Sequence, residues 1–157
     1  MILPRPIVVI DTSVFLRHAL SRTRVGAASQ LLTILPAVAH IVMWDEIREE
    51  IVGKLEQHLG WPRATALAVF GPVFDAALSV AAAPEREDHR RIVNNDEDDT
   101  MLVRVTEAIY IERPALIAAG QLRYVVSENT RHLRPGSAYA GFLFGTAHDV
   151  LAALKQA

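Results

Sequence analysis

A parallel α/β fold, with helices on both faces of a central sheet, is predicted by three features of this sequence. Short, continuously apolar runs recur along the chain, longer stretches with apolar residues every three or four positions separate them, and glycine or proline punctuates the joins. Strands that are apolar throughout, rather than at alternate positions, imply burial on both sides, as in a parallel sheet covered by helices.

Five strands are expected at 7–10, 40–43, 78–82, 124–127 and 141–144, each too short for a typical helix and bounded by turn residues. Helical periodicity marks 13–20, 25–35, 44–58, 62–74, 97–111 and 147–156. Gly60 ahead of Pro62, Gly71-Pro72 interrupting a helical run, Gly120 before the fourth strand and Pro135-Gly136 before the last are the breaks such a fold needs. The mixed-charge stretch from Glu85 to Arg91 reads as a solvated loop or an exposed helix, with Arg90 and Arg91 as minor candidates for touching a substrate backbone. At 157 residues, 51% of them hydrophobic, the chain is long enough to bury a core, and one domain over 1–157 is expected.

Composition excludes several classes. No run approaches the roughly 18 apolar residues of a membrane span, and the start lacks the layout of a secretory signal, so a cytoplasmic protein without membrane association is expected. The chain has no cysteine, which excludes disulfides and thiolate metal sites. A formal charge of -2 argues against a broadly basic nucleic-acid surface, but leaves room for a local one near Arg131, His132 and Arg134. Only Lys54 and Lys155 are lysines, so any phosphate contacts would fall mainly to arginine; a mutational bias toward arginine and alanine is the preferred account of that scarcity. Six histidines are scattered with no close pair at metal spacing, and His18, His40, His58 and His148 read as packing or surface residues, which disfavours zinc.

In an open parallel sheet, ligands bind beyond the carboxyl ends of the strands. Asp11 directly follows the first strand, and Ser13 is placed to cap the next helix; helix capping also accounts for Asp11 taken alone. On the helix expected from Trp44, Ile47, Ile51 and Leu55 define the buried stripe; Glu50 lies nearest it, with Glu46 and Glu49 turned to solvent. An ordinary surface glutamate is the competing account of Glu50. The cluster Asp96-Glu97-Asp98-Asp99 opens a helix, where one or two acids complement the dipole; four in a row exceed that need and repel unless solvated or neutralised by a cation. Ser127 and Asn129 follow the fourth strand, Asn129 as an amide-oxygen donor or a turn former. Oxygen donors from separate strand ends and helix starts are what a hard divalent cation requires.

These residues, in this order, resemble the PIN-domain ribonucleases, a family that includes the VapC-type toxins. The resemblance covers nearly the whole chain and rests on Ile10-Asp11-Thr12-Ser13, the helix from Trp44 to Glu50, Asp96 to Asp99, and Ser127-Glu128-Asn129. Trp44 and Asn129 depart from it, the first standing where a small hydroxyl residue is common and the second replacing a carboxylate by a neutral amide. The resemblance implies a three-layer α/β/α sandwich with a five-stranded parallel sheet in the order 3-2-1-4-5, and a catalytic quartet of Asp11, Glu50, Asp99 and Asn129. Mg2+ or Mn2+ would be held by Asp11, Asp99, Glu50 and Asp96, with Ser127, Arg131 and Arg134 on the substrate. It further implies hydrolysis of single-stranded RNA, homodimer formation and, for a type II toxin, a cognate antitoxin as partner.

Rival readings are weaker. A haloacid-dehalogenase phosphatase would want aspartate at position 13, where serine stands, and a Toprim enzyme would want glutamate after the first strand. A PIN-fold RNA-binding or protein-interaction module with weak catalysis is the alternative that Asn129 favours.

Overall fold

The computed structural model describes residues 3–21, 25–93 and 100–156. Its elements run β1 (Ile7–Ile10), α1 (Thr12–Leu20), α2 (Ala27–Val38), β2 (His40–Trp44), α3 (Ile47–Leu59), α4 (Arg63–Ala76), β3 (Leu78–Val80), α5 (Glu87–Ile92), α6 (Thr100–Glu112), a 3-10 turn at Pro114–Leu116, β4 (Arg123–Val126), β5 (Ala138–Tyr139), β6 (Phe142–Gly145) and α7 (Ala147–Gln156). Among the described residues no helix is long and apolar enough to cross a membrane.

All four side chains of β1 are fully buried. Successive strand residues point to opposite faces, so both faces of the sheet are covered. One cover is α6, against β1, β2 and β3; the other is formed by α2, α4 and α7, with α1 and α3 packed on them. This mixed α/β arrangement is compatible with three layers. The outer cover is tied together by aromatic contacts, Phe15 of α1 meeting Phe70 edge-on at 5.1 Å and Phe74 stacked at 5.9 Å, both from α4.

The sheet differs from expectation in strand number and order: six strands in the order β3-β2-β1-β4-β6-β5, rather than five in the order 3-2-1-4-5. The additional strand is β5, two residues long and antiparallel to β6, while the other pairings are parallel. Tyr139 pairs with Phe142 around a two-residue loop, Ala140 and Gly141, both at positive φ (51° and 79°). That is the backbone a tight hairpin needs, but its first position is alanine rather than the usual asparagine or aspartate, so no turn signal precedes Gly141 in the sequence. The hydroxyl of Tyr110 holds the loop by donating to the Ala140 carbonyl at 2.6 Å.

Two local expectations are also corrected. Trp44 ends β2 rather than starting a helix, because it pairs in register with Val80 and is 6% exposed; α3 begins three residues later. Gly71-Pro72 does not break α4, which runs through to Ala76. Pro72 faces solvent while Phe70, Val73 and Phe74 on either side of it are buried, so tertiary packing holds the helix across a missing amide.

A polar network fastens α5, α6 and β5. Glu107 of α6 accepts hydrogen bonds from both terminal nitrogens of Arg86, at 3.0 and 2.6 Å, from His89 Nε2 at 3.0 Å, and from the Tyr139 hydroxyl. His89 is fully buried, and its Nδ1 accepts the Arg86 backbone N–H at 2.9 Å, which places the ring proton on Nε2, facing Glu107. Burial works to raise the Glu107 pKa, but hydrogen bonds from Arg86, Tyr139 and His89 outweigh it and hold the carboxyl below its ordinary value. Burial and the neighbouring Glu107 push the Tyr139 hydroxyl up to about 12.

Candidate functional site

The chain lays down β1, β2 and β3 to one side and then returns to place β4 on the other side of β1. Ligand crevices in open α/β sheets form at such a reversal, outside the carboxyl ends of the two strands. Asp11 and Ser127 are the residues that leave β1 and β4 there. The backbone continues the ladder into the rim: Asp11 N–H donates to the Val126 carbonyl at 2.9 Å, and Ser127 N–H to the Gly145 carbonyl at 3.0 Å.

Asp11 occupies the N-cap position of α1, yet its carboxylate makes no capping hydrogen bond. Instead Oδ2 accepts two hydroxyls, Ser13 Oγ at 2.6 Å and Ser127 Oγ at 2.7 Å, the first from its own helix and the second from across the sheet. Among the described residues Oδ1 receives no hydrogen bond. The expectation that Ser13 caps α1 is therefore corrected. Ser13 lies inside the helix and bridges the two strand ends, donating to Asp11 and accepting the Glu128 N–H at 3.0 Å. Ser127, only 2% exposed, mirrors it by donating to Asp11 and accepting the Asn129 N–H at 3.0 Å. The two hydroxyls are 3.4 Å apart.

Glu50 joins this rim through the residue next to Asp11. The buried Thr12 donates to Glu50 Oε1 at 3.3 Å, and Lys54, one helical turn on, approaches the same oxygen at 3.2 Å. Glu50 is less exposed than Glu49, whose side chain is 62% exposed and pairs with Arg63, in keeping with the helical-wheel argument.

Asn129 lies beside Ser127, with its side-chain amide Nδ2 2.9 Å from His132 Nδ1. Arg131 and Arg134 follow in the turn closed by His132 and Leu133 N–H groups on the Asn129 carbonyl; both are exposed and make no hydrogen bond or ion pair of their side chains among the described residues. Asp96 and Asp99 lie outside the described residues.

Asp11, Glu50, and Ser127 with Asn129 thus come together from three separated stretches of chain, while Thr12, Ser13 and Glu128 belong to the same rim without having been assigned a role there. Thr12 and Ser13 sit in the motif after β1, so their hydroxyls were visible; which partner each would find depends on β4 and α3 lying alongside. Hard oxygen donors suit a hard divalent cation, and the carboxylates of Asp11 and Glu50 are donors of that kind. Among the described residues no group of three or more histidines, cysteines or acids converges.

Neither a family model nor a curated protein matches this chain.

Proposed function

We propose that this chain is a divalent-cation-dependent ribonuclease of the PIN type, hydrolysing phosphodiester bonds in single-stranded RNA at the rim where β1 and β4 end. The observation that carries this reading is the state of Asp11. Its carboxylate stands at the reversal of strand order, is oriented by hydroxyls from two elements, and does not spend its oxygens on capping α1.

In this reading Asp11, Glu50, Asp96 and Asp99 hold Mg2+ or Mn2+, whose preference for few protein ligands suits such a set. When bound, the ion supplies Lewis acidity, acidifying water and offsetting charge that develops on the phosphoryl oxygens. Ser13 and Ser127 fix the Asp11 carboxylate so that it needs no reorganisation. Arg131 and Arg134 neutralise the RNA backbone beside the scissile bond with forked guanidinium groups. Asn129 orients groups at the rim through its amide.

The test is cleavage of single-stranded RNA with Mg2+ or Mn2+, with and without EDTA, by wild type and Asp11→Asn. Activity lost in both controls supports the reading; activity undiminished by both ends it. A second reading, an RNA-binding or protein-interaction module of the same fold, is favoured by the neutral Asn129 amide and its contact with His132. RNA binding without cation-dependent turnover would select it. The toxin assignment, with its cognate antitoxin and homodimer, belongs to the first reading and is checked by growth arrest on expressing wild type but not Asp11→Asn.

A further inference from the structure

A cavity of about 400 Å³ shares Glu128 with the Asp11 rim and is lined among the described residues also by Arg17 and Leu20 of α1, Ala27 and Ala28 of α2, and His148 of α7, with others. That is within the roughly 300–1,000 Å³ of small-molecule sites. Glu128 joins the two places. Its backbone N–H reaches Ser13 in the rim, while its carboxylate lines the cavity and accepts the Ala147 N–H through Oε1 at 3.2 Å.

Three polar groups around this space find no partner among the described residues. Among the described residues Glu128 Oε2, the Arg17 guanidinium and the His148 ring make no hydrogen bond or ion pair, so a carboxylate and a guanidinium share one cavity without pairing with each other. Such a space suits a ligand that carries two donors on one edge and two acceptors on another, with flat faces for the walls formed by Leu20, Ala27 and Ala28.

We propose that this cavity is a base-binding subsite beside the cleavage rim and that it takes guanine, an inference that rests on the ribonuclease reading above. Guanine alone among the RNA bases offers two adjacent N–H donors, on N1 and N2, to a carboxylate, together with the O6 and N7 acceptors that a guanidinium chelates. Adenine replaces O6 by a donor, cytosine lacks the paired donors, and uracil has a single N–H between two carbonyls. Bases of single-stranded RNA are splayed out and read on these edges, so a subsite that shares Glu128 with the rim selects a nucleotide near the one cleaved.

The experiment is titration of the full chain in EDTA with GMP, AMP, CMP and UMP, followed by amide NMR, using wild type, Glu128→Gln and Arg17→Met. GMP is expected to bind at least about tenfold tighter than the other three, with shifts at residues lining the cavity, and each variant is expected to lose roughly tenfold for GMP alone. Glutamine keeps an oxygen for the Ala147 amide but sets an N–H2 against guanine; should that variant unfold, Arg17→Met carries the test. Equal affinity for all four nucleotides, no binding, or unchanged GMP affinity in the folded variants overturns the subsite. Because no cleavage is involved, guanine selectivity in a protein with no nuclease activity removes the nuclease reading alone, whereas cation-dependent cleavage without GMP binding removes the subsite alone.

Discussion

Replacing Glu107 with alanine takes the shared acceptor away from Arg86, His89 and Tyr139, and the consequences differ between them. His89 is fully buried with its ring proton on Nε2, so that N–H is left without its partner, a loss of about 1–3 kcal/mol. Arg86 is about half exposed, at 53%, so water takes over its ion pair at little cost. The Tyr139 hydroxyl keeps a contact with Arg86 at 2.9 Å and adds little. The loss is roughly 1–3 kcal/mol, or about 2–12 °C in melting temperature for a chain of this length. Urea unfolding near pH 7 measures it. The pH dependence is a second reading of the same network. With its pKa held below the ordinary 4.5, the Glu107 carboxylate stabilises the fold fully above that value and loses its contribution as pH falls through the depressed one. The gap between wild type and Glu107→Ala should therefore narrow in acid. A gap under about 0.5 kcal/mol at neutral pH, or one that stays constant into acid, refutes the network as described.

Three further outcomes are expected. Ser127→Ala removes a hydroxyl that donates to Asp11 and accepts the Asn129 amide; it should lower stability by about 2 kcal/mol and, in an RNA cleavage assay, lower kcat more than it changes KM, and an unaltered melting temperature counts against the rim geometry. Gly141→Ala places a methyl at φ 79°, 3.0 Å from the Tyr110 hydroxyl and 3.2 Å from Arg123, and should destabilise by about 1–2 kcal/mol in a thermal melt, whereas Gly26→Ala meets open space at negative φ and should be near neutral. Burial, and then Arg5, lower the His40 pKa, so the unfolded chain binds that proton more readily; stability should decline as pH drops below about 6.5, and His40→Gln should flatten that slope in pH-resolved unfolding.

The strands could be found because each is a local run that water disfavours wherever it lies, and β1 is apolar at every position because both its faces are covered. β5 escaped notice: two residues carry no periodicity, and their pairing depends on Phe142 and on a turn at Ala140 propped by Tyr110 from α6. The helix boundary at Trp44 shifted for a related reason, since an aromatic residue serves strand or helix equally until its pairing with Val80 decides. In α4 the breaker signal of Gly71-Pro72 was real but outweighed by the aromatic contacts of Phe70 and Phe74 with Phe15.

At the candidate site the acids and hydroxyls were visible as residue types placed after strands. Taken alone, Asp11 after a strand reads first as a helix cap; in the fold it makes no capping hydrogen bond and instead accepts the hydroxyl of Ser127, 116 positions away in the chain. Glu107 belongs to no local motif, sharing α6 with Glu112, and only the approach of α5 and β5 shows why it is there.

The amino-acid order determined, by itself, which of the longer segments are strands or helices to within a few residues, which faces are apolar, and that oxygen-bearing side chains follow the strands. Strand order, pairing register and the partners of each polar group were decided by the tertiary structure. Periodicity is a property of neighbours along the chain, whereas the meeting of Asp11 with Ser127, or of Glu50 with Thr12, exists only once β4 and α3 have been brought alongside β1 and α1.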